Sequence, residues 1–269
     1  MRLIVLDGDP FSIGDLADIA HRRATVDVGE IGSKRAADSA AVLSSHAASG
    51  EAIYGVNTGF GPLKSVAIPS SDLEALQLNL IRSHAVGVGP PLGEPEVRAA
   101  MALLAASHLR GSSGVDSSAA KLICELLNNN ELPRVPSQGS LGASGDLAPL
   151  AHIALFLIEN GLKIAPKLGL SLINGTHVHT ALAALLTHES VMLAKAADIA
   201  CAMNLEATLG SRKPFDASVH KLRPHPHQQI AARNLWALTE GSAIMQSHAN
   251  CGEVQDAYSF RCAPQVHGA

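Results

Sequence analysis

The chain has 269 residues, enough for a large core and one or two domains. Hydrophobic residues make up 47% and aromatic residues only 3%, so alanine and leucine must fill the interior, a composition suited to closely packed helices. A formal net charge of -4 argues against a nucleic-acid partner held by phosphate neutralisation. Charges interrupt the apolar runs well before the ~20 residues a membrane span needs, and the apolar run at the N-terminus is too short for a signal peptide. Cys124, Cys201, Cys251 and Cys262 form no CxxC pair and read as reduced thiols of a cytoplasmic protein, with no disulfide framework and no zinc site.

In chain order, Leu3–Leu6 reads as a short strand and Ser12 as the cap of a helix running to His21. Ser33 starts an alanine-rich helix that Gly50 ends, and Ser71 with Glu74 forms a capping box ahead of a helix that stops at Gly87. Pro95–Leu109 and Ser117–Leu127 read as two more. Asp146–Ile158 is another, tolerating Pro149 in its first turn. Val178–Leu209, capped by Thr176, is an Ala/Leu-rich helix of roughly 48 Å, and Gln228–Ser247 reads as the last helix. Loops fall at Gly55–Pro62, Pro133–Gly145, Asn174–Gly175 and Lys213–His227, where Gly, Pro and Asn cluster. The pattern predicts a mainly α fold. A mixed N-terminal domain over residues 1–205 leads into an antiparallel helical domain from 206 that is cut short at Ala269.

The loop before Asp146 carries the most specific chemistry. In Gly142-Ala143-Ser144-Gly145-Asp146 the nitrogen of Gly145 can attack the Ala143 carbonyl carbon. Loss of water from the ring and from the Ser144 side chain then yields a methylidene-imidazolone, an electrophile made from the chain itself. Gly145 removes a Cβ clash at the attacking end, and the helix that follows presents unpaired N–H groups to negative charge. The alternative is an ordinary helix cap by Ser144 or Asp146, and a serine-hydrolase elbow fails because Asp146 stands where Gly-x-Ser-x-Gly needs glycine.

Other segments each allow a chemical and a plain reading. Tyr54, followed by Gly55, Gly59 and Gly61, is a base for a weakly acidic carbon-bound proton or a packed ring in a glycine-rich turn. Arg261, after Gln255 and Tyr258, is a bidentate carboxylate clamp or a solvated arginine. Asn174 orients a ligand or makes a turn. His84, beside Ser83 and in register with Leu73, Leu76 and Leu80, faces inward as a hydrogen-bonded core residue. The His177/His179 and His225/His227 pairs lack a matching set of further ligands and read as solvated histidines, with no metal.

Taken together, Tyr54–Gly61, Ser83-His84, Pro136–His152, Asn174–Thr176 and Val254–Gln265 resemble, in order, the aromatic amino acid ammonia-lyase family, its histidine-specific members most closely. The resemblance implies a self-formed methylidene-imidazolone at Ala143-Ser144-Gly145, no external cofactor, and elimination of ammonia from an L-aromatic amino acid, with urocanate as product if the substrate is L-histidine. It implies Tyr54 as the base, Asn174, Gln255 and Tyr258 around the electrophile and the substrate amine, Arg261 on the carboxylate, and Ser83-His84 at the selectivity position. It also implies a cytoplasmic homotetramer whose sites draw on several subunits. Phenylalanine or tyrosine lyase and aminomutase activities remain open, as does a non-catalytic fragment. Family members are longer, so the chain is expected to be their N-terminal half, and its 160–168 connection is short for the family.

Overall fold

The computed structural model describes residues 1–48, 52–61, 64–142 and 145–269. Ala143 and Ser144, the first two residues of the expected electrophile, lie outside them, as does Gly50, the expected stop of the second helix. The chain divides into two compact units, Met1–His188 and Glu189–Ala269. The division falls ahead of the boundary expected after residue 205, which lies near the end of a long helix.

The first unit opens with a small βαβ layer. Strand β1 (Arg2–Leu6) pairs in parallel with β2 (Ala24–Val28) across helix α1 (Ile13–Ala20). Alternation places Ile4 and Leu6 in the core and leaves Leu3 and Val5 exposed. Ser12 caps α1 as expected, and Asp15 completes a capping box that the sequence reading placed elsewhere. The side-chain amide of Asn128 mimics a further strand at β2, accepting from Val26 N at 3.0 Å and donating to Val26 O at 2.8 Å.

Helices α2 (Glu30–Ala48), α3 (Leu73–His84), α4 (Glu94–Leu109), α5 (Ser118–Asn129), α6 (Leu147–Glu159) and α7 (Leu168–Ile173) make up the rest. The two-stranded antiparallel sheet of β3 (Val88–Pro91) and β4 (Pro136–Gln138) completes the described elements of this unit before the long helix α8 (His177–Ala207). Helix α4 is buried nearly all round, which its small residues permit. Its Arg98 is buried and donates to Ile19 O and Leu127 O, each at 2.9 Å, and to Asn130 Oδ1. One guanidinium thus satisfies the carbonyl ends of both α1 and α5.

The second unit holds the later turns of α8, then α9 (Ala217–Lys221), α10 (Pro226–Leu238), α11 (Ala243–Ser247), α12 (Tyr258–Arg261) and α13 (Ala263–His267). Its core is Ala202, Leu205, Phe215, Leu235, Met245 and Ala263. Asp198 on α8 accepts from Asn234 at 2.8 Å and His267 at 2.7 Å, tying three helices together.

Several local expectations need correction. Asp72, not Ser71, precedes α3 and gives no side-chain cap, because residues 70–72 form a 3-10 turn. Helix α3 ends at His84, before Gly87. The single helix expected over 228–247 is two, since Gly241 takes φ +72° and Ser242 starts a new cap. No described helix is long and apolar enough to cross a membrane.

Candidate active site

Around the electrophile loop the backbone is tightly folded. Gly142 and Gly145 take φ +58° and +98°, and Gly145 N donates back to Gly142 O at 2.9 Å. The Gly145 carbonyl accepts from Leu141 N at 3.1 Å, and Asp146 N donates to Gly175 O at 2.7 Å. A Cβ on Gly145 would lie 2.7 Å from that same Gly175 oxygen, so only glycine fits against the Asn174-Gly175 turn.

Asp146 is fully buried. It occupies the cap position of α6 without capping it. Its carboxylate instead reaches the start of α8, accepting from Val178 N at 2.8 Å, His179 N at 3.0 Å and His179 Nδ1 at 2.9 Å. Thr176 holds the expected cap position, its carbonyl accepting the first helical bond from Thr180 N, but Asp146 supplies the side-chain cap. Burial pushes the Asp146 carboxyl up, and the hydrogen bonds from Ser140 and His179 outweigh it, so the group sits below its ordinary 3.8.

Tyr54 sits in the turn Ile53–Val56, next to Gly55 at φ +78°. Its ring is half exposed and meets Phe60 edge-on at 5.8 Å. The buried Gln77 of α3 holds this turn in place. Its amide donates to Gly55 O at 3.0 Å and accepts from Leu170 N at 3.1 Å. Helix α7 then runs directly into the exposed Asn174. Tyr54, Asn174 and Gly145 are therefore carried on segments joined by Gln77, α7 and the Gly175–Asp146 bond. Gln77 and the reach of Asp146 to α8 were missed in the sequence. The one signal for Gln77 was a polar side chain at a core-facing helical position.

His84, at the last turn of α3, is half-buried beside an exposed Ser83. Its Nδ1 lies 2.8 Å from Leu80 O and 3.1 Å from Ser83 Oγ. A carbonyl only accepts, so Nδ1 carries a proton, and in the neutral ring the lone pair is on Nε2.

The remaining expected residues belong to the second unit. Gln255 lines a cavity of about 290 Å³ with Asp256, Arg212 and Met245, and Asp256 anchors its segment by accepting from Ser211 N at 2.7 Å. Arg261 lies 4.0 Å over the Tyr258 ring, and Tyr258 is largely exposed. The Nε of Arg261 is buried and has no partner among the described residues.

Of the histidine pairs, His225 and His227 are exposed as expected, whereas His179 binds Asp146 and the half-buried His177 lies against Ser107. Burial raises the Cys124 thiol to about 12, which keeps it protonated and unreactive.

The pattern of the aromatic amino acid lyase family matches residues 11–163 and 160–269. The chain belongs to the aromatic amino acid lyase family. It is 48% identical to a histidine ammonia-lyase of Sorangium cellulosum over 98% of its own length and 56% of that protein. It is 46% identical to a histidine ammonia-lyase of Gloeobacter violaceus, covering 99% and 56% of the two chains. The fold matches the histidine ammonia-lyase of Trypanosoma cruzi with a TM-score of 0.83 at 34% identity, over all of this chain and 54% of that one. It matches the tyrosine aminomutase of Streptomyces globisporus with a TM-score of 0.84 at 34% identity, over 98% and 58%. The chain thus spans little more than half the length of these curated relatives. The two family-matched stretches meet at 160–163, within the connection between α6 and α7 that reads as short in the sequence.

Proposed function

We propose that this chain carries the electrophile-bearing part of an ammonia-lyase that converts L-histidine to urocanate and ammonia. The electrophile is a methylidene-imidazolone formed from Ala143-Ser144-Gly145, with no external cofactor. The observation that carries the reading is the joining of three segments. The Tyr54 turn, Asn174-Gly175 and Gly145-Asp146 are tied into one hydrogen-bonded cluster by Gln77 and the Gly175 carbonyl. The described residues fit such a group. The loop is closed on itself between Gly142 and Gly145, and a side chain on Gly145 would strike Gly175.

Formed there, the group would supply an electrophilic carbon able to turn the substrate amine into a better leaving group. Tyr54, half exposed, is the base that takes the β-proton. Arg261 clamps the substrate carboxylate, exchanging its contact with the Tyr258 ring for a charge-assisted bond. Asn174, Gln255 and Tyr258 surround the amine. The first turn of α6, starting at Leu147, offers N–H groups to developing negative charge. His84 favours an imidazole side chain, because its Nε2 lone pair accepts from an imidazole N–H and finds no donor on a phenyl ring.

On this reading residues 1–205 form the N-terminal domain and 206–269 begin a central helical domain. The enzyme is a cytoplasmic homotetramer. An aminomutase is the second reading, favoured by the likeness to the Streptomyces globisporus protein. Free ammonia with an arylacrylate marks the lyase, and a β-amino acid marks the mutase. The first test is the mass of the peptide spanning Ser140–His152 from freshly purified protein. A deficit of two water molecules is expected, and an unmodified mass overturns the proposal.

A further inference from the structure

Two histidines lie behind the electrophile loop, outside the substrate-facing set: His108 is buried, and His177 is half-buried. His177 opens α8, and its Nε2 lies 3.0 Å from Ser107 Oγ on α4. Ser107 spends its single hydroxyl proton on Leu104 O at 2.8 Å, so toward His177 it can only accept. The imidazole proton is therefore on Nε2, and Nδ1 is a buried lone pair that meets no donor among the described residues. His108 follows the same rule, with Nε2 3.2 Å from Ser171 O and a buried Nδ1 likewise without a partner among the described residues. Burial pushes both rings toward the neutral form, His177 to about 4. Around neutral pH both rings are therefore uncharged.

The ring of His177 fills the space that a side chain at Gly175 would need. A Cβ there would come 2.6 Å from Nδ1 and closer still to Cε1. Gly175 is the residue whose carbonyl receives Asp146 N and packs against Gly145. A continuous stack thus runs from Ser107 on α4, through the His177 ring and Gly175, to the peptide joining Gly145 to Asp146. Interiors this dense transmit displacement, so a shift of the ring moves that peptide.

We propose that His177 is a positioning residue for closure of the electrophile. Held by Ser107, its ring fixes the Gly175 carbonyl and thereby holds the Gly145–Asp146 peptide, and with it the residue whose nitrogen must attack, in place for ring closure. The inference rests on the reading above that this loop cyclises. The closure balances without oxidant. One bond forms between the Gly145 nitrogen and the Ala143 carbon. The Ala143 oxygen leaves as water with the two amide protons of Ser144 and Gly145, and the Ser144 hydroxyl leaves as water with its Cα proton.

The test is the fraction of the Ser140–His152 peptide that lacks two waters, measured in freshly purified wild type, His177→Leu, His177→Gln and Ser107→Ala, each checked for native helix content and melting. Wild type is expected to be dehydrated. His177→Leu should fold yet dehydrate at least tenfold more slowly. His177→Gln should restore the reaction, because its amide donates to Ser107 without charge. If His177→Leu folds and dehydrates like wild type, or if His177→Gln fails to restore what His177→Leu loses, the assignment is overturned. Should His177→Leu not fold, Ser107→Ala decides: dehydration slowed severalfold supports the stack, and an unchanged rate overturns it. A wild-type loop with no deficit instead overturns the lyase reading itself, which separates the two failures.

Discussion

Replacing Asp146 by alanine should destabilise the first unit by several kcal/mol, and the size follows from the bonds it makes. The carboxylate is buried and accepts from Val178 N, His179 N and His179 Nδ1 at 2.8–3.0 Å. Losing a cap costs about 0.5–2 kcal/mol, and removing one partner of a buried charged network costs about 3–5 kcal/mol, so about 3–5 kcal/mol is expected for Asp146→Ala. Asparagine keeps an oxygen for the two backbone donors but loses the charge and the second acceptor that faces His179 Nδ1, so Asp146→Asn should cost about 1–2 kcal/mol. Urea unfolding followed by far-ultraviolet circular dichroism measures both. The charge contribution has a defined pH window. The folded carboxyl lies below 3.8, so its stabilisation is complete above that value and vanishes as pH falls through the folded value. Wild type and Asp146→Asn should therefore differ by a constant amount from neutral pH down to about 4 and converge below it. An Asp146→Ala protein within about 1 kcal/mol of wild type would refute the view that this carboxylate holds α8 to the loop.

Two further outcomes are expected. In the assembled enzyme His84→Leu should reduce kcat/KM for L-histidine more than for L-phenylalanine, because leucine removes the Nε2 acceptor that an imidazole N–H can use and a phenyl ring cannot. A larger loss with phenylalanine would reverse the selectivity argument. Stability should also fall as pH drops from 6.5 toward 4, because the unfolded chain binds protons that the desolvated His177 and His108 rings refuse. From its shift of 6.5 to about 4, His177 alone accounts for about 3 kcal/mol over that range, and His177→Gln should flatten a pH titration of unfolding free energy by that order.

The local features of this protein were legible because each depends on neighbours in sequence. Ser12 caps α1 within three residues, the apolar periodicity places α4 and α5 within a residue or two of their limits, and Pro149 sits harmlessly in the first turn of α6. The order of the Tyr54, Ser83-His84, Ala143–Gly145, Asn174 and Arg261 segments was enough to indicate the family. Partners distant in sequence were not legible. Strand β2 exists because β1 lies beside it and Asn128 covers its edge, while β3 and β4 are short and rich in proline and glycine, which weakens any strand signal. Asp146 read as a cap for the helix that follows it, yet it caps α8 across an intervening helix pair. Gln77 looks like a polar interruption of an apolar helix, and His177 like a solvated histidine, until Gly55, Leu170 and Ser107 are brought against them. Hydrogen-bond capacity is written in the residue type, but which groups share a buried space is set by the packing of the whole unit, and only the tertiary structure decides it.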